Sequence, residues 1–175
     1  MNLKRTISLA LSLALTLGLL AGCGGGSDTP AERTPEELTQ LYADAINNCG
    51  SEMVEYNPVI SVYDPENEPI IDALLEMLGL TAEDMTAFGL SLSLMNVKAY
   101  GLALIMPAEG KEQTVLDGLN GFVTLQQSNF EMYLEDQYEV AKAAKVETLA
   151  DGTVLLVMCE DADAVYESIT AALSA

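Results

Sequence analysis

The chain of 175 residues has no histidine and no tryptophan, only three cysteines, and seven lysines and arginines against 27 aspartates and glutamates. Each scarcity excludes something. Without histidine there is no imidazole base near neutral pH, which rules out nucleophile triads with a histidine base and zinc sites built on histidine. Without tryptophan, a sugar-cleaving cleft lacks its usual stacking surface. In so acidic a chain a pair of carboxylates alone says little about glycoside hydrolysis. No Cys-x-x-Cys pair occurs, so neither a redox motif nor a thiolate zinc site is signalled. The shortage of positive charge sets the surface against nucleic acid phosphates and anionic lipid heads.

What is present begins at the N-terminus. Lys4 and Arg5 form a short positive segment, residues 7–20 are uncharged and apolar, and small residues lead to Cys23 in Leu20-Ala21-Gly22-Cys23. These are the parts of a secretory signal, too short and wrongly flanked for a lasting membrane span. The ending resembles a lipobox, the mark of a bacterial lipoprotein. That resemblance implies lipidation of Cys23, with palmitate-type acyl chains, cleavage before it, and a domain held on the extracytoplasmic face of the cell membrane. Two acyl chains meet the need of stable anchoring for more than one lipid signal. Without residues 1–22 the chain keeps five basic and 27 acidic residues, a net charge of −22. Such a surface attracts cations or a basic partner, and it also keeps an exported domain soluble.

The chain divides into three parts: a signal over residues 1–22, a tether over 23–33 carrying Cys23, and one domain over 34–175. Gly24-Gly25-Gly26-Ser27-Asp28-Thr29-Pro30 is small and polar without periodicity, as a flexible tether is. Thr34-Pro35-Glu36-Glu37 has the form of a capping box. Leu38, Leu41, Tyr42, Ala45, Ile46 and Cys49 then recur at helical spacing up to Gly50. Val59, Ile60, Val62 and Tyr63 suggest a short strand, and residues 69–78 a second helix ending at Gly79. Thr81-Ala82-Glu83-Asp84 caps one or two more helical turns before Gly89. Residues 90–106 read as a β-hairpin turning at Met95-Asn96. Its second arm is apolar on both alternating sets apart from Lys98, which suits a strand covered on both faces. A long helix runs from Lys111 to near Asp136, residues 138–149 connect with some helical character, and residues 153–159 form a third strand. Asp161 caps a final helix. The expected fold is α+β and two-layer: a small, mostly antiparallel sheet, made of the hairpin plus one later strand, packed by the long helix and flanking helices. A parallel crossover into the last strand is expected to be right-handed.

Tyr100-Gly101-Leu102-Ala103-Leu104-Ile105, the helical Gln126-Gln127-Ser128-Asn129-Phe130, and Gly152-Thr153-Val154-Leu155-Leu156-Val157 before an acidic helix cap resemble a family of small lipoproteins from Gram-positive gut bacteria known as a domain of unknown function. The resemblance spans about residues 38–173. It implies a lipoprotein that is not an enzyme, and carries over no catalytic residue.

The candidate chemistry is thin. Asp64-Pro65-Glu66-Asn67-Glu68 and Glu160-Asp161-Ala162-Asp163 are acidic enough to attract calcium, but neither has the EF-hand spacing. They read more simply as a polar turn and as acids at a helix N-terminus. Lys98 reads as a surface position that discourages sheet aggregation rather than as a catalytic amine. Ser128 lacks a nucleophile elbow, Gly118 and Gly121 read as close packing of helix on sheet, and most methionines share faces with leucines. Cys49 and Cys159 read as reduced, buried thiols, although a disulfide between them is possible outside the cytoplasm. No catalytic residue, metal or cofactor is expected. The reading is a membrane-anchored binding domain with a basic or cell-envelope protein partner and no nucleic acid. The alternatives are a small-ligand or calcium-binding lipoprotein and, behind it, a carboxylate-dependent hydrolase.

Overall fold

The capping box at Thr34 forms as the sequence suggests. In the computed structural model, which describes residues 33–64 and 67–175, the Thr34 hydroxyl accepts the Glu37 amide at 3.2 Å and the Glu37 carboxylate accepts the Thr34 amide at 2.8 Å. It opens α1 (Pro35–Asn47), which buries Leu38, Tyr42, Ala45 and Ile46. Helix α2 (Glu68–Leu78) ends at Gly79, whose φ of +65° is the left-handed stop that glycine adopts without strain. All of this lies in one unit, Glu32–Ala175.

The four strands are set by pairing within the sheet more than by local caps. The box between Thr81 and Asp84 closes a single 3-10 turn, Ala82–Asp84, and the chain is already extended in β1 (Met85–Leu92). The helical turns expected up to Gly89 are therefore absent: pairing of Ala87, Phe88 and Leu90 with the next strand outweighs the local helix start. Strand β2 (Gly101–Pro107) is the hairpin partner, but the connection occupies residues 93–100, so Lys98 lies in the loop and not in the strand. Helix α3 (Glu112–Phe130) stops short of Asp136, after which the connector resolves into α4 (Glu135–Lys142) and β3 (Lys145–Thr148). Strand β4 (Val154–Met158) and α5 (Ala162–Leu173) close the chain. The strand expected at Val59–Tyr63 reduces to one bridge, Ile60 to Leu90.

The sheet order is β1-β2-β4-β3, and every neighbouring pair is antiparallel. The parallel crossover into the last strand does not occur. Helix α3 carries the chain back to the end where β2 began, β3 then runs alongside in the outer position, and the turn at Asp151-Gly152 sends β4 back between them. Short, polar β3 is a managed sheet edge.

The α+β class and the antiparallel sheet are borne out, as is a β2 covered on both faces. Helices pack on each face, so the flanking helices form a layer of their own. Leu90, Leu92, Ala103, Ile105, Val154, Leu156 and Met158 face α2, α3 and α4. The alternate set, Ala87, Leu102, Leu104, Leu155 and Val157, faces α1 and α5. Each fully buried leucine or isoleucine in these clusters contributes about 1.5–3 kcal/mol.

Candidate functional site

Among the described residues, a partly enclosed concavity lies where β2 begins, β4 ends and α1 ends. Its floor is Ala99, Tyr100 and Cys159, all buried. Its walls are Gly50 to Met53 and Tyr56 on one side and Lys98, Gln137, Glu160 and Asp161 on the other, enclosing about 300 Å³. Gly50, at φ +86°, turns the chain out of α1 into the wall. Behind Cys159 and Glu160 a shallower hollow of about 450 Å³ runs along α4 and the start of α5.

The loop over residues 93–100 is held from several directions. Gln137 is buried; its Oε1 accepts the Ala99 amide at 2.9 Å and its Nε2 donates to Asp136 at 2.9 Å. The Tyr133 hydroxyl donates to the Asn96 carbonyl at 2.8 Å. Lys98 meets Glu160 at 2.6 Å; its hydrogen bond and charge hold the Glu160 carboxyl below the usual carboxylate range. With both side chains exposed, such a pair contributes about 0–1 kcal/mol. Deeper in, the Tyr100 and Ser91 hydroxyls share a hydrogen bond at 2.8 Å, Ser91 donates to the Asn57 carbonyl at 2.6 Å, and burial pushes the Tyr100 phenol up to about 12.

The chemistry this permits is modest. Cys49 and Cys159 are free and buried, as the sequence reading expected. Burial pushes the Cys159 thiol up to about 11 and raises that of Cys49, so both stay protonated at neutral pH, where a nucleophile would need the thiolate. Every buried side-chain nitrogen and oxygen among the described residues has a partner.

The two acidic clusters are separate and differently used. Asp64 and Asn67 bond one another: Asp64 Oδ1 accepts the Asn67 amide at 3.1 Å, and Asn67 Oδ1 accepts the Asp64 amide at 3.1 Å. They form a turn entering α2. In the second cluster Glu160 binds Lys98, and Asp163 binds Lys145 at 2.5 Å. Asp161 stands at the cap position of α5, but its side chain makes no capping bond; its carbonyl accepts the Val165 amide at 3.0 Å. No group of three or more metal-type side chains is drawn together among the described residues. Gly118 is close packing, against helix α2 rather than the sheet: an added Cβ would sit 2.6 Å from the Leu78 carbonyl oxygen. Gly121 faces open space. Cys23 lies outside the described residues, as do the signal and most of the tether, through residue 32. No helix of the described residues is long and apolar enough to cross a membrane.

Sequence reasoning missed the two loops that crown this site. Leu94, Met95 and Val97 in one, and Met132 and Tyr133 in the other, are exposed. Among the described residues, only Met95 and Met132 depart from the reading that the methionines share buried faces; Met85 and Met158 are buried, and Met53, Met77 and Met106 pack against the core. The available signal was position: both segments flank breaks in periodicity, at Asn96 and at Leu134, where neither strand nor helix spacing assigns a face.

No curated protein and no solved structure matches the chain. One family model does, over residues 60–159, from the Ile60 bridge to the cleft floor at Cys159; it takes in all four strands with α2, α3 and α4 and leaves out α1 and α5. The chain belongs to the family described as Domain of unknown function (DUF4358).

Proposed function

We propose that this chain is a lipid-anchored extracytoplasmic lipoprotein whose folded domain binds a basic component of the cell envelope and performs no reaction of its own. The carrying observation is the placement of charge. Each of the four lysines in the described residues is tied to a carboxylate of the same domain: Lys98 to Glu160, Lys111 to Asp84, Lys142 to Glu139 and Lys145 to Asp163. The large acidic excess is therefore met by no free lysine on its own surface, and it favours encounter with a positive partner. The lipobox at Cys23 supports the anchoring, as does the resemblance to small lipoproteins of Gram-positive gut bacteria. Two protonated thiols, the absence of histidine and buried side-chain polar atoms that all have partners among the described residues support binding without catalysis.

Mass spectrometry of the protein extracted from membranes tests the anchor. The expected N-terminal peptide begins at Cys23 and carries diacylglycerol, and Cys23→Ser moves the domain out of the detergent phase. A mature terminus elsewhere, or an unmodified Cys23, overturns the reading.

A further inference from the structure

We propose that the end of the domain crowned by residues 93–100 and 131–134 is a docking surface for a protein segment that presents apolar side chains flanked by lysine or arginine. This rests on the reading of the domain as an acidic binding module and names its contact surface and the chemistry of its partner.

Five large side chains stand out of two loops there: Leu94 is 57 % exposed, Met95 65 %, Val97 57 %, Met132 87 % and Tyr133 58 %. Scattered apolar residues on a surface mean little. These belong to one place, because the Tyr133 hydroxyl is bonded to the Asn96 carbonyl between Met95 and Val97. A continuous apolar patch costs solubility and marks a contact, and methionines suit one that must fit a varied partner.

The patch sits on a fixed base. Phe130 is fully buried with its ring 6.0 Å from that of Tyr133, and buried Gln137 holds the Ala99 amide. Loops already held in place lose less freedom on binding.

Charge selects the occupant. Glu131, Glu135 and Asp136 adjoin the second loop and are exposed, while the one lysine of the first loop, Lys98, is taken up by Glu160. A negative rim repels an anionic bilayer and repels the same rim on a second copy of this chain, and it complements a positive one. The 300 Å³ cleft alongside fits the same partner: a lysine or arginine can lay its methylenes along Met53 and Tyr56 with its charge beside Glu52 and Asp161.

Position agrees. The tether enters α1 beside the end of α5, where Arg33 donates to the Leu173 carbonyl at 3.3 Å. Helix α1, about 20 Å long, runs from there to the cleft wall at Gly50. The patch therefore lies at the opposite end of the domain from its attachment.

Site-specific photo-crosslinking in intact cells tests this, with a benzophenone side chain placed in turn at Met95, at Met132 and, as the control at the tethered end, at Glu109. The expected result is one common protein crosslinked from Met95 and Met132 and not from Glu109, through a segment carrying apolar residues and net positive charge. Leu94→Glu with Val97→Glu should lower the yield from Met132 about tenfold while leaving the unfolding midpoint in place. Crosslinks only to other copies of this chain or only to lipid, or equal yields from Glu109, overturn the proposal. Two further positions, Glu36 and Asp117 on exposed helix faces, separate the failures. Crosslinks to a basic protein from these and not from the loops sink the docking surface and leave the acidic binding module standing. No protein crosslinked from any position sinks both.

Discussion

At the end of the sheet where the tether joins, Thr81 donates to Asp84 through both its amide and its hydroxyl at 2.8 Å, Lys111 reaches the same carboxylate at 2.8 Å, and the Ala108 amide bonds the Asp84 carbonyl. At the other end, six of the ten large apolar or aromatic side chains exposed among the described residues are gathered: Tyr56, Leu94, Met95, Val97, Met132 and Tyr133. One end spends its polar side chains on closing itself; the other is braced from beneath and left open above. The same sheet supports both, so the difference belongs to the loops. A patch that folding neither buries nor needs is free to serve contact, whereas the caps at the tethered end serve stability.

The comparison breaks first if the open end is simply loose. Phe130→Ala should cost about 3–5 kcal/mol in urea unfolding, because a fully buried ring is removed from beneath the loops. A loss below about 1 kcal/mol would show that the base is not packed. At the closed end Gly118→Ala should cost about 1–3 kcal/mol, since its Cβ would meet the Leu78 carbonyl and the Leu80 side chain with no room to move. An unchanged midpoint would show that α2 and α3 can separate freely.

Much of the closed end was legible in the sequence, and the open end was not. Thr34 and Thr81 announce their boxes through residues three apart, a local interaction that needs no tertiary knowledge. Strands β2 and β4 were legible because each is a short unbroken apolar run, as a strand covered on both faces requires. Strand β3 was not: of Lys145-Val146-Glu147-Thr148 only Val146 packs on the core, so the strand exists by pairing with β4 and carries almost no hydrophobic signal. Likewise the box at Thr81 is real, but the extended conformation from Met85 onward is imposed by pairing with β2, beyond the reach of any local signal. The site suffered most. Its floor comes from residues 99, 100 and 159, its walls from 50–56 and 137, and only the fold brings them together.

The closed end should also announce itself in acid. The bonds from Lys111 and Thr81 hold the Asp84 carboxyl down to about 2, below its value in the unfolded chain. The stability it gives is therefore complete above about pH 4, and is lost as pH falls through the folded value. Asp84→Asn should flatten the fall of unfolding midpoint between about pH 4 and pH 2, and leave the slope between about pH 6 and pH 8 as it was. An unaltered acid limb would show that Asp84 is not held by these partners.

Smaller effects are expected where the surface is open. Met95→Ser with Met132→Ser should change unfolding free energy by no more than about 0.5 kcal/mol each, since neither side chain is buried. A larger loss would make these residues structural. Smallest of all is the effect of calcium: the melting temperature in calcium should equal that in sodium chloride of matched ionic strength, the carboxylates being screened alike. A saturable rise specific to calcium, abolished by Asp64→Asn or Asp161→Asn, would instead reveal a cation site.

Methionine oxidation by dilute peroxide, read by mass spectrometry on intact cells and on the purified protein, bears most directly on the open end as a contact surface. In the purified protein Met95 and Met132 should oxidise far faster than buried Met85 and Met158. In cells Met95 and Met132 should be protected, with the buried pair unchanged. Equal reactivity of Met95 and Met132 in the two settings would mean that nothing covers that end, and would contradict the account.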